Sequence, residues 1–231
     1  MNNMTSTSIT ISKTTLSILK NFASMNSNIL VKPGNVIKTI TPSKSGMAEA
    51  VIDETFDVEF GIWDLNKFLG VVSLFSSPHF EFGEKSVKII GSNGSVVNYF
   101  YSEPRLLTYP SKSVNMPPTT VKTRISEGMF NELYRISSVL QLPDISFRSD
   151  GSAIYAVVLD LKDPTSNSYR VDLEGNADGA QFELNFKMEN IRLLAGDYEV
   201  SFAKNIAGQF ENENHSLTYW FAMEPNSRYT E

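Results

Sequence analysis

One pattern is written twice in this chain, and it limits what the chain can fold into more than any other feature. Phe56 to Gly70 reads FDVEFGIWDLNKFLG, and Phe182 to Gly196 reads FELNFKMENIRLLAG. In the first copy Phe56, Val58, Phe60 and Ile62 alternate with Asp57, Glu59 and Gly61, the period of a half-buried strand. Asp64 then offers a short oxygen-bearing side chain where a helix N-cap wants one. Leu65, Phe68 and Leu69 follow at helical spacing before Gly70. The second copy puts Phe182, Leu184, Phe186 and Met188 on the strand positions, Asn190 on the cap, and Ile191 and Leu194 on the helix, and it closes at Gly196. A strand, a cap and a short helix used twice imply two alike domains.

The 231 residues leave room for two such domains. The chain has no cysteine, so a disulfide framework and thiolate chemistry are excluded. The N-terminus lacks the basic and apolar regions of a signal peptide, and no apolar run approaches the ~20 residues of a membrane span. These features read as a cytoplasmic protein with no membrane partner. The formal net charge of −6 argues against a wholly basic nucleic-acid binder, but not against one with its cations gathered on one surface.

Residues 1–9 are polar and read as loose. Ser12 can cap a helix over Lys13 to Met25, with Leu16, Leu19, Phe22 and Ala23 as its apolar stripe. Lys13, Ser17, Lys20 and Ser24 fall on another arc, and no acidic residue occurs on that helix. Ile29 to Val31, a turn at Pro33-Gly34-Asn35, and Val36 to Ile40 read as a hairpin. After a strand over Ala48 to Ile52, the helix of the first motif copy is expected to run through Gly70 to about Leu74. Strands are expected at His79–Phe82, Ser86–Ile90 and Val96–Tyr101. Four prolines between Glu103 and Pro118 mark an extended connector.

The second half repeats the plan. Ser126 caps a helix with a stripe of Met129, Leu133, Ile136 and Leu140. A hairpin turns at Asp150-Gly151, Tyr169–Leu173 and Gln181–Phe186 are strands, and a repeat helix is expected over Ile191–Ala195. Asp197 to Ala203 and Ser216 to Met223 complete the sheet. The expected fold class is α+β: two similar domains, 1–108 and 121–231, joined by a connector over 109–120, each with antiparallel β-sheets and two helices.

Chemistry is conspicuous by its absence. His79 and His215 have no second ligand at metal spacing. There is no phosphate loop and no nucleophile elbow. Asp53, Glu54, Asp57 and Glu59 form the densest acidic cluster, and strand alternation makes Asp57 and Glu59 a solvated face. No catalytic residue, cofactor or metal is expected, and the chain does not read as an enzyme.

Three runs carry a resemblance: Ile11 to Ala23, ISKTTLSILKNFA; Asp57 to Gly70, DVEFGIWDLNKFLG; and Ala195-Gly-Asp-Tyr. Together they resemble the sliding clamps of T4-type bacteriophages, over about Ile11 to Glu224, with Met1–Ser8 as an extension. The resemblance implies a DNA polymerase processivity factor. Three subunits would join head to tail into a ring around double-stranded DNA, with helices lining the hole and sheets outside. The DNA-facing residues would be Lys13, Lys20, Lys67, Arg135, Lys187 and Arg192. A groove for the C-terminal peptide of the phage polymerase would involve Leu107, Tyr109, Trp220, Ala222 and Met223. A clamp loader, and a sigma-like factor and co-activator of late transcription, would be further partners, in the cytoplasm of the infected host. A ring-forming structural virion protein is the alternative, and the acid-free arc of the first helix speaks against it.

Overall fold

The computed structural model describes residues 8–119, 121–175, 177–204 and 206–230, which divide into two compact units. The first contains residues 1–44 and 48–111, and the second residues 45–47 and 112–231. The expected looseness of the N-terminus falls, for residues 1–7, outside the described residues. Ser8–Ile9 is a short strand, β1.

In the first unit β1 leads into α1 (Lys13–Met25). Then come β2 (Ile29–Val31), β3 (Gly34–Ile40), β4 (Gly46–Phe56) and β5 (Phe60–Ile62). Next are α2 (Leu65–Val72), β6 (His79–Phe82), β7 (Ser86–Ile90) and β8 (Val96–Phe100). One 3-10 turn, Pro104–Leu106, precedes the connector. β1, β6, β7 and β8 lie side by side in that order, all antiparallel. The expected hairpin at Gly34 does not form. β2 pairs instead with β5, Ile29 opposite Ile62 and Val31 opposite Phe60, while β3 pairs with β4.

α1 starts where the sequence says it should. The Ser12 hydroxyl accepts the Thr15 N–H at 3.1 Å. Glu54 adds a second cap from β4: its carboxylate accepts the Ser12 N–H and, at 2.6 Å, the Thr15 hydroxyl. Two orphan donors of the helix start are thereby satisfied. Partial burial pulls the Glu54 carboxyl upward, but the bonds from Thr15 and Ser12 outweigh it and hold the group below its ordinary value. A depressed carboxylate stabilises the folded state above its unfolded pKa, and that contribution disappears as pH falls through the folded one. Glu54→Gln is therefore expected to be less stable than wild type at neutral pH and to converge on it as the solution is acidified below about 4.5. Thermal melts of both proteins across that range check this.

The two motif copies share most of their buried positions but not their backbone; half-buried Val58 corresponds to buried Leu184, and buried Phe68 to half-buried Leu194. Phe56, Phe60, Ile62, Leu65, Phe182, Leu184, Phe186, Met188 and Ile191 are all buried. In the first copy the strand is interrupted at residues 57–59, between β4 and β5. The rings of Phe56, Phe60 and Phe82 then close a cluster with centroids 4.8–5.2 Å apart.

The second unit contains β9 (Val121–Ile125), α3 (Glu127–Leu140), β10 (Asp144–Asp150) and β11 (Ile154–Leu159). It continues with β12 (Tyr169–Gly175), β13 (Gln181–Lys187), β14 (Tyr198–Ala203) and β15 (Ala207–Asn212). It closes with β16 (Leu217–Ala222) and β17 (Arg228–Thr230). Its strands run in the order β17-β13-β10-β11-β12-β9-β14-β15-β16. Phe147, Phe186, Phe202 and Phe210 fill its core.

The expected repeat helix over Ile191–Ala195 is absent. Met188–Asn190 makes a single 3-10 turn without a side-chain cap, and Ile191 is already extended. Asp64 accepts the Lys67 N–H at 2.8 Å and starts α2, whereas Asn190 makes no such bond. Two tyrosines satisfy the backbone a helix would have used: Tyr219 Oη accepts the Leu194 N–H at 3.1 Å, and Tyr198 Oη donates to the Leu194 carbonyl at 2.6 Å. Gly196, at φ +142°, then turns the chain into β14. Among the described residues the second unit thus holds one α-helix, not two. Asp197 accepts the Glu127 N–H at 2.8 Å and so helps to start α3.

Candidate nucleic-acid interface

α1 presents Lys13, Thr14, Ser17, Lys20 and Ser24 to solvent and turns Ile18, Leu19, Phe22 and Ala23 inward. No Asp or Glu lies on the helix, and Glu54 at its start is occupied by Ser12 and Thr15. Neither Lys13 nor Lys20 makes an ion pair among the described residues. Seven residues apart, they stand about 10 Å apart along the helix axis. Lys67 is exposed on the first turn of α2, in the same unit.

α3 is less uniform. Arg135 is exposed, but Glu127 is exposed as well, and Glu132 is hydrogen-bonded to Tyr169, whose hydroxyl it pushes above its usual value. The apolar stripe is displaced from the expected one. Phe130, Leu133 and Ser137 are buried, while Leu140 is 41% exposed and Val139 75% exposed. The cause is the helix end. Gln141 takes φ +56°, Ser137 Oγ donates to the Leu142 carbonyl at 2.7 Å, and buried Leu142 fills the place expected of Leu140.

The last two cations are committed elsewhere. Lys187 ends β13 and pairs with Asp144, a carboxylate with no exposed surface. Arg192 lies in the extended segment that replaces the repeat helix, with its guanidinium donating to the Tyr134 hydroxyl and standing 5.7 Å from that ring's centre. Lys13, Lys20 and Lys67 therefore share one unit's helical surface, Arg135 stands on α3, and Lys187 and Arg192 are on no helix.

The residues expected to hold a partner peptide fall in different units. In the first, Leu107 is buried against Gly61, where an added β-carbon would sit 2.5 Å from its Cδ1. Tyr109 lies under the Lys32 ammonium, 5.8 Å from the ring centre. Asn26 Nδ2 donates to the Thr108 carbonyl, and Asn28 Oδ1 accepts the Thr108 N–H, both at 2.9 Å, so the start of the connector is anchored. In the second, Trp220 is half-buried and donates its indole N–H to Gln209 Oε1 at 2.7 Å. Ala222 is exposed and Met223 half-buried. Sequence reasoning missed Ile206, 56% exposed, whose carbonyl accepts the Met223 N–H at 3.1 Å. An isoleucine at a hairpin turn, where polar residues prevail, was the available signal.

Among the described residues no group of three or more His, Cys, Asp or Glu side chains could hold a metal ion, and no helix is long and apolar enough to cross a membrane.

Comparison with known proteins agrees with this architecture. The DNA polymerase processivity factor family matches residues 11–79. The sliding clamp of Escherichia phage RB69 is 30% identical over 228 residues, covering 94% of this chain and 97% of the relative. That of Vibrio phage KVP40 is 29% identical over 220 residues, covering 93% and 98%. Among solved structures, A. fulgidus PCNA with the C-terminal region of FEN-1 bound superposes with a TM-score of 0.71 at 14% identity, over 96% of this chain and 99% of that one. PCNA from Thermococcus kodakaraensis gives 0.70 at 13% identity, over 94% and 99%. At such identities these two structures speak to the fold alone.

Proposed function

Because this chain belongs to the sliding-clamp family of T4-like phages, DNA polymerase processivity factors, we propose that three copies close head to tail around duplex DNA and tether the replicative polymerase. The observation that carries this reading is the exposed face of α1, which holds Lys13 and Lys20, no carboxylate and no ion pair among the described residues. Lys67 on α2 and Arg135 on α3 extend the DNA-facing set. Contacts of this kind meet phosphates and carry no sequence information. Few and water-screened, they leave a clamp free to slide, and topological linkage replaces affinity. α1 and α2 carry none of the carboxylates behind the net charge of −6, and carboxylates elsewhere on the surface repel DNA.

Two open sheet edges support head-to-tail assembly. Among the described residues β8 pairs only with β7, and its Phe100 is 72% exposed. β12 pairs with β9, among the described residues, at Glu174 and Gly175, and Tyr169 to Leu173 pair on one side, with β11. Edges of this kind invite pairing with another chain, and a heterologous ring uses them up after a fixed number of copies.

Trp220, Ala222 and Met223 of the second unit, joined there by Ile206, are assigned to the polymerase C-terminal peptide. The bound FEN-1 segment in the archaeal PCNA structure is a ligand of the same kind. A clamp loader opens the ring in the infected cell's cytoplasm, and the late-transcription factor and its co-activator draw on the same surface. No reaction is assigned to the chain. The relatives named above are clamps rather than virion proteins, and the structural alternative is set aside.

Sedimentation velocity at micromolar concentration is expected to give a trimer; a stable monomer or dimer would sink the ring. With an active cognate loader, the protein is expected to lengthen polymerase products on primed DNA, and unchanged product length would remove the assignment.

A further inference from the structure

A groove of about 360 Å³ opens between α1, α2 and the chain that follows α2, wholly within the first unit. Leu16, Leu69 and Val72 line its floor, and the half-buried ring of Phe75 forms part of a wall. Lys13 and Lys20 line it too, both exposed, and no carboxylate does. Ser73 and Ser77 line it as well, with the Ser73 hydroxyl donating to the Gly70 carbonyl at 2.7 Å. Ser77 holds φ +52°, a conformation uncommon outside glycine and asparagine, so the surrounding structure fixes the wall at that point.

Volume, an aromatic wall, hydroxyls and two free cations about 10 Å apart along one helix suit a flat ring joined to phosphates. We propose that this groove binds an unpaired nucleotide of single-stranded DNA, its base against Phe75 and the apolar floor, its flanking phosphates on Lys13 and Lys20. The proposal rests on the reading of α1 and α2 as nucleic-acid-facing. A paired base cannot enter, because both of its faces are stacked within the duplex. A clamp on primed template meets both kinds of DNA, and the groove gives it a way to register where the duplex ends. Charge selects the occupant: with cations and no acid around an apolar floor, the ligand is an anion with an apolar body.

The test uses the wild-type trimer and a fluorescent strand of about ten thymidylates, within the usual site size for single-strand binding. Its anisotropy titration is compared with that of an abasic strand of equal length and charge. Removing the bases is expected to weaken binding about tenfold, since base stacking is lost while phosphate attraction is kept. Ser73→Glu, which brings a carboxylate into the groove, is expected to weaken base-bearing strands by about tenfold as well, with trimer formation and retention on circular duplex unchanged. Equal binding of base-bearing and abasic strands overturns the proposal and leaves only phosphate attraction. Loss of the trimer or of duplex retention by wild type would instead remove the clamp reading, and those are separate measurements.

Discussion

Replacing Gly175 with alanine is expected to destabilise the second unit by about 4 kcal/mol, lowering Tm on the order of 10 °C. Gly175 ends β12 at φ +146°, where any side chain is strained. A β-carbon there would lie 2.7 Å from the Lys122 carbonyl oxygen and 3.1 Å from Ile154 Cδ1. The carbonyl belongs to backbone pinned in β9, which is itself paired to β14 from Tyr198–Ile125 to Phe202–Val121. It has no rotamer by which to give way. The position also helps to join the two halves of the sheet, where among the described residues β12 and β9 pair at Glu174–Arg124 and Gly175–Thr123. A displaced seam would loosen α3, which packs on β11 and β12 and carries Arg135. Gly34→Ala separates the two costs. It stands at φ +119° with nothing within 4 Å of an added β-carbon, so strain acts alone and the loss is expected to be about 1–2 kcal/mol. Urea unfolding of both variants measures the difference, and equal losses would show that close approach to Lys122 is unimportant.

What could be read from the residues was what neighbours along the chain decide. α1 runs from Lys13 to Met25 as expected because its Ser12 cap and its end are local, although Glu54 from β4 reinforces the cap and Ile18 rather than Leu16 completes the buried stripe. β6 and β7 are likewise where alternation puts them. The pairing of β2 was not legible. Ile29, Leu30 and Val31 are all buried, so the strand finds its partner through an apolar match with Phe60 and Ile62 some thirty residues on, and Gly34 opens a new strand instead of closing a turn. The second motif copy misled for a related reason. Its pattern of burial repeats, but whether the last five residues coil depends on Tyr198 and Tyr219, whose hydroxyls reach Leu194 from other strands. The site divides the same way. That Lys13 and Lys20 stand exposed and outside any ion pair among the described residues is legible, because an acid-free helix is visible in the residues themselves, whereas a cation's partner on another strand is not.

Lys187 makes that last point testable. Its ammonium pairs with Asp144, 43 residues away along the chain, and Asp144 has no exposed surface. The other carboxylate oxygen accepts the Leu161 N–H at 3.0 Å. Lys187→Met would leave a buried carboxylate with that backbone bond and no countercharge, at a cost on the order of 3 kcal/mol, the low end for a broken buried pair because the lysine itself still reaches water. Adding Asp144→Asn should recover much of the loss, since the charge that needed a partner is then gone. The hydrogen bond to Asp144 is the main reason the Lys187 ammonium holds its proton more tightly than a free lysine. A raised pKa contributes fully below the unfolded value and is lost as pH rises through the folded one, so wild type and Lys187→Met should converge only above about pH 10.5. The same variant decides what the residue is for. A free DNA-facing lysine would leave stability unchanged and lower the salt dependence of DNA binding by roughly one counterion. The pairing with Asp144 leads us to expect the reverse: a less stable second unit whose DNA binding varies with salt as the wild type's does, with Lys13→Ala and Lys20→Ala showing the opposite pattern.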